Sequence, residues 1–151
     1  MATETSTSYS DTGFKTMINY FFENTDPIEI SEKISPWLND LITSENKKLG
    51  EITFIFADDE YVLKVNQDYL KHDFYTDVIT FDYVKGKIIS GDIFVSLHRI
   101  SDNAKMLDKD FEKEFLRVLA HGILHLCGYK DKSEEEISLM REKEDHYINL
   151  F

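Results

Sequence analysis

The chain has 151 residues, a length that suits one domain with its own core and leaves little room for two. Its hydrophobic content of 42% and aromatic content of 13% argue against global disorder. With 17 Lys and Arg against 29 Asp and Glu, the formal net charge is −12, which excludes a general nucleic-acid coat or a polybasic membrane binder and leaves room only for a local basic patch.

Half of residues 1–16 are Ser or Thr, and the stretch reads as a flexible N-terminal tail before a single domain over 17–151. It lacks the basic region and apolar core of a signal peptide, and no apolar run approaches the roughly 18–20 residues that span a bilayer. The one cysteine, Cys127, rules out an internal disulfide, so a cytoplasmic protein is expected.

A β-branched and aromatic run at 18–23 predicts a strand. Ile34, Trp37, Leu38, Leu41 and Ile42 then share one face of a helix whose first turn accommodates Pro36. Gly50 is expected to end the connection into an alternating strand at 51–57. Asp58 is a suitable N-cap for a helix running to about Lys71. Two strands, 78–83 and 90–97, are joined by a segment containing Gly86 and predict an antiparallel pair. From Ser101 the pattern is helical, polar over 102–110 and apolar over 111–127, with Gly128 as a stop. Ser133 and Glu136 form a capping-box signature for a last helix that should bury Ile137, Met140, Tyr147, Ile148 and Phe151. The expected architecture is α/β (α+β), with a small mixed sheet of about four strands packed against helices around a central metal-binding helix.

The stretch that carries chemistry is 121–131, HGILHLCGYKD. His121 and His125 stand one helical turn apart on one face, close enough to grip a single metal ion. Gly128 lets the chain turn back, and Asp131 can then bring a carboxylate to the same ion. Two imidazoles and a carboxylate, with a fourth position open to water, are the usual layout of a catalytic rather than a structural zinc, here a single Zn2+ or another divalent transition metal. An unliganded His pair on so apolar a helix would bury two rings at a cost. Cys127 falls on another helical face and reads as packing. Asn66, Asp73, Thr76 and Asp77 read first as residues that shape a loop through their own backbone.

His121, Gly122, Leu124, His125, Leu126, Gly128 and Tyr129 resemble the HGxLHLxGYxH signature of the YbeY family of bacterial metallo-endoribonucleases. Asn66, Tyr69, Asp73, Thr76, Asp77, Val78 and Phe81 resemble a second block of that family, and Gly91 with Asp92 a third. The resemblance implies a zinc-dependent hydrolase that cuts single-stranded RNA, works in maturation of the small-subunit rRNA 3′ end and in ribosome quality control, and meets the ribosome or its proteins. Two positions depart from the pattern. Asp131 stands where the family commonly has His, and Leu70 where it usually has Arg. The sequence names no general base and leaves two candidates for the nucleophile, water at the metal and a ribose 2′-OH.

The ligand spacing HxxxHxxGxxD is also that of metzincin-type zinc peptidases, but their general base, a Glu after the first His, is here Gly122. A third reading is a ribosome assembly factor whose metal is mainly structural.

Overall fold

The computed structural model describes residues 4–9, 15–72 and 75–151, the first two strands being described in part by backbone alone. Chain order is β1 (Glu4–Tyr9), β2 (Lys15–Glu23), α1 (Ile34–Ser44), β3 (Lys48–Ala57), α2 (Asp59–Leu70), β4 (Val78–Asp82), β5 (Ile88–Ser96), α3 (Leu97–Met106), α4 (Phe111–Leu126) and α5 (Glu134–Ile148). The five strands form one mixed sheet in the order β1-β2-β3-β5-β4. β2, β3 and β5 are parallel, and the edge strands β1 and β4 run antiparallel to their neighbours. The α/β expectation is met, with one strand more than the four foreseen.

That extra strand is β1, which pairs with β2 from Glu4↔Tyr20 to Tyr9↔Lys15. Of the stretch expected to be a flexible tail, residues 4–9 form β1 and 15–16 open β2, while residues 1–3 and 10–14 lie outside the described residues. A Ser- and Thr-rich edge strand is held by ladder hydrogen bonds rather than by an apolar pattern, so hydropathy does not reveal it.

Alternation on the central strands builds the core. Ile18, Tyr20, Phe22, Ile52, Phe54, Phe56, Ile93 and Val95 are buried in one cluster with the apolar faces of α1, α4 and α5. A smaller cluster of Ala57, Val62, Val65 and Ile79 includes the buried side of α2. Asp58 caps α2 by accepting from the Tyr61 N–H at 2.8 Å.

Three local expectations are corrected. Gly50 lies inside β3, where a Cβ would meet Ser90 Oγ at 2.2 Å and the Ile89 carbonyl at 3.0 Å, beside a register shift against β5. It is needed for close strand approach, not to end a loop. The helical stretch after Ser101 is also two helices: Ser96 caps α3 through the Arg99 N–H, and the chain reverses at Asp108 with φ 52° before α4. Met140 and Tyr147 of α5 are buried as expected, whereas Ile137 of α5 and Phe151 beyond its end are exposed, and the buried stripe instead includes Glu144.

Candidate metal centre

α4 is central because two glycines let it sit close to the sheet. A Cβ on Gly122 would lie 3.1 Å from Ile93 Cγ2, and one on Gly91 would lie 3.0 Å from Leu126. This packing turns one edge of α4 outward. His121 and His125 stand on that edge, half-buried, with ring centroids 4.6 Å apart and planes at 83°. They are less enclosed than the apolar pattern of the helix implies.

The helix ends in a Schellman turn. The Gly128 N–H bonds the His125 carbonyl and the Tyr129 N–H bonds the Leu124 carbonyl, each at 3.0 Å, with Gly128 at φ 109°. The turn brings the chain back past the helix end. Asp131 Oδ2 lies 3.2 Å from His121 Nε2 and 3.3 Å from His125 Nε2. The three residues predicted from spacing are therefore together, with one ligand atom from each within 4.8 Å of the others.

The donor set fits a metal ion on two counts. Donors bound tetrahedrally at about 2.0–2.1 Å from zinc are about 3.3 Å apart, the spacing found between each imidazole and the carboxylate. The second count is a proton count. His121 Nδ1 is 2.6 Å from Glu144 Oε2, to which a neutral ring donates its one N–H. Its Nε2 lone pair then faces the Asp131 oxygen lone pairs, and only a cation between them, proton or metal, removes that repulsion. Burial works against a charged His121, but the Glu144 hydrogen bond and charge, with Asp131 and Asp77, outweigh it and raise the ring's pKa.

Glu144 is a residue that sequence reasoning missed. It is 3% exposed and is held by Arg117 at 2.9 Å and Arg141 at 3.1 Å, while Arg117 also binds Asp145 at 2.7 Å. Burial disfavours its charge, yet the bonds from His121 and Arg117 lower its pKa. A carboxylate behind a metal-binding histidine fixes its tautomer and makes it a better ligand. The detectable signal was a Glu in the stripe Met140, Glu144, Tyr147 of the last helix.

The second block contributes Asp77. Burial raises the pKa of this carboxyl, the nearby His121 charge opposes that, and the backbone N–H groups of Asp77 and Val78 bond it. The loop-shaping role expected of Asp77 and Thr76 holds, since the Thr76 hydroxyl bonds the Val78 carbonyl at 3.4 Å. Asn66 is buried, and Asp73 lies outside the described residues. Leu70 ends α2 and is exposed. Arg99 is tied to Asp59 at 2.6 Å and lies over the Tyr75 ring, so neither it nor Arg117 stands ready as a phosphate ligand. Cys127 is packed against the core with its thiol pKa pushed up to about 12, chiefly by burial, as its packing role requires.

Comparison with known proteins places these features in a lineage. Residues 19–151 match the family model described as Endoribonuclease YbeY. A relative of that name from Flavobacterium johnsoniae is 53% identical over 89% of this chain and 97% of its own length. One from Christiangramia forsetii is 48% identical over 89% of this chain and 94% of its own. A solution structure of a protein from Thermotoga maritima superposes with a TM-score of 0.63 at 28% identity, covering 88% of this chain and 87% of that one.

Proposed function

This chain belongs to the endoribonuclease YbeY family, and on that premise we propose that it is a zinc-dependent hydrolase cutting single-stranded RNA. Its substrate in this reading is ribosomal RNA, at the 3′ end of the small-subunit molecule and in ribosome quality control, with the ribosome or its proteins as partners in the cytoplasm. Family membership supports this assignment; among the described residues no helix is long and apolar enough to cross a membrane.

The observation that carries the chemistry is the approach of both imidazole Nε2 atoms to one Asp131 oxygen at 3.2 and 3.3 Å. His121, His125 and Asp131 would hold the ion. Bound there, zinc supplies Lewis acidity toward a phosphate oxygen and lowers the pKa of water toward about 7. The chain's own part is to keep three donors convergent. Glu144 holds the His121 proton on Nδ1, and Arg117 holds Glu144. Peptidase chemistry lacks its base, because Gly122 packs on Ile93 and has no acid to offer.

The test is cleavage of a single-stranded RNA oligonucleotide with and without chelator, alongside zinc stoichiometry. His121→Ala and His125→Ala should lose stoichiometric zinc and cleavage together, while Asp131→His should keep both. Cleavage that survives chelation, or full zinc in the His125→Ala protein, refutes the reading.

A further inference from the structure

Glu45 follows the last turn of α1, and its side chain is only 9% exposed. A carboxylate so enclosed must be paired, and this one has three partners. Its Oε1 accepts from the Tyr129 hydroxyl at 2.6 Å. Its Oε2 accepts from the Tyr147 hydroxyl and from Lys143 Nζ at 3.4 Å. Lys143 also lies over the Tyr129 ring, 5.6 Å from its centroid.

None of these bonds is needed to finish α1, whose end is satisfied by backbone bonds from Glu45 and Asn46 to Leu41 and Thr43. Glu45 is one of several anchors of α5, which also buries Met140 and Tyr147 and takes a 2.7 Å bond from the Trp37 indole on the Tyr147 carbonyl. Tyr129 is different. It sits between Gly128 and Asp131, on the return that delivers the third donor. The Schellman turn fixes this return as far as the Tyr129 N–H, and past Asp131 the Lys132 and Ser133 N–H groups bond Glu136, so between these two anchors the tie is the Tyr129 side chain. Asp131 lies two residues past Tyr129, and it shares its surroundings with the negative charges of Glu144 and Asp77.

We propose that Glu45 is a positioning residue for the metal centre, acting through the Tyr129 hydroxyl to hold the Asp131 arm over the two histidines. This rests on the reading of His121, His125 and Asp131 as ligands. α1, remote in sequence from the ligands, thereby sets how tightly the centre holds its ion.

The experiment measures zinc affinity by competition with a chromophoric chelator, and the thermal midpoint of the metal-free protein. Tyr129→Phe removes one hydroxyl and keeps the ring, and it should weaken zinc binding about tenfold, the lower end for groups behind a metal ligand. Glu45→Gln should weaken it less, because an amide oxygen still accepts from the phenol. In the Asp131→Ala background, Tyr129→Phe should change zinc affinity no further, because the arm then carries no donor. Any small fall in the metal-free midpoint should be equal in both backgrounds. Undiminished zinc affinity in Tyr129→Phe, or an equal loss in both backgrounds, overturns the proposal and leaves the metal centre standing. Wild-type affinity in Asp131→Ala alone overturns the ligand reading and this proposal with it.

Discussion

A neutral imidazole has one N–H and one lone pair, and in His121 the N–H is directed at Glu144, which leaves the Nε2 lone pair on the side of Asp131. Replacing Glu144 with Gln keeps the shape but removes the charge behind His121 and turns one end of the group into a donor, which must face either the two arginines or the His121 Nδ1–H. Glu144→Gln should therefore weaken zinc about 10–100-fold. It should also destabilise the metal-free protein by up to about 3 kcal/mol, since Arg117, itself only 14% exposed, loses a buried partner. Equilibrium zinc competition and denaturant unfolding check the two effects separately. The grouping of His121, His125 and Asp131 was legible because their spacing is local and their chemistry specific. Glu144 was not, because a Glu in a charged helix reads as solvated until packing turns its face inward. Leu70 gives the opposite case: as an exposed residue at the C-terminal end of α2, it can take a cation without burying it. Leu70→Arg, which restores the residue usual in the family, should shift stability by no more than about 0.5 kcal/mol and increase RNA cleavage. An unchanged cleavage rate with an unchanged midpoint shows that this position has no catalytic part.

The elements that sequence reveals are those with local signals. The Asp58 cap, the Ser133–Glu136 capping box and the antiparallel β4–β5 pair all rest on residues within a few positions of each other. The break between α3 and α4 was hidden because Asp108 adopts φ 52° without a Gly or Pro to mark it. Gly50 was misread because the need for it comes from β5, some forty residues away in the chain. Gly128 ends α4 as its sequence position implies, and the turn it allows is the element that brings Asp131 to His121 and His125. No neighbour lies within 4 Å of a Cβ built there, so a substitution meets backbone strain alone, at φ 109°. Gly128→Ala should cost about 1–2 kcal/mol and should weaken zinc as well, because the return carrying Asp131 shifts. A thermal midpoint and a zinc titration on the same sample check this. A loss of stability with zinc affinity intact would mean the arm adapts to another turn.

Across the whole molecule, the net charge of −12 means that lowering pH first relieves self-repulsion, which hides what any one carboxylate contributes. A difference between two proteins of nearly equal charge removes that background. Glu45 suits this use because its burial raises its pKa while Tyr129, Tyr147 and Lys143 together outweigh burial and lower it. A carboxylate with a depressed folded pKa adds stability that is complete above the unfolded value, about 4.3 for Glu, and is lost as pH falls through the folded value. An amide resembles the protonated acid, so the thermal midpoint of the wild-type protein should exceed that of Glu45→Gln by a constant amount from pH 7 down to about 5. The gap should then close as the solution is taken below about 4, although both proteins by then carry far less negative charge. Paired thermal melts of the metal-free proteins across this range give the curve directly. A gap that persists unchanged at the acid end would mean that Glu45 stabilises by its shape and not by its charge, and that the pairing with Lys143 contributes nothing to the fold.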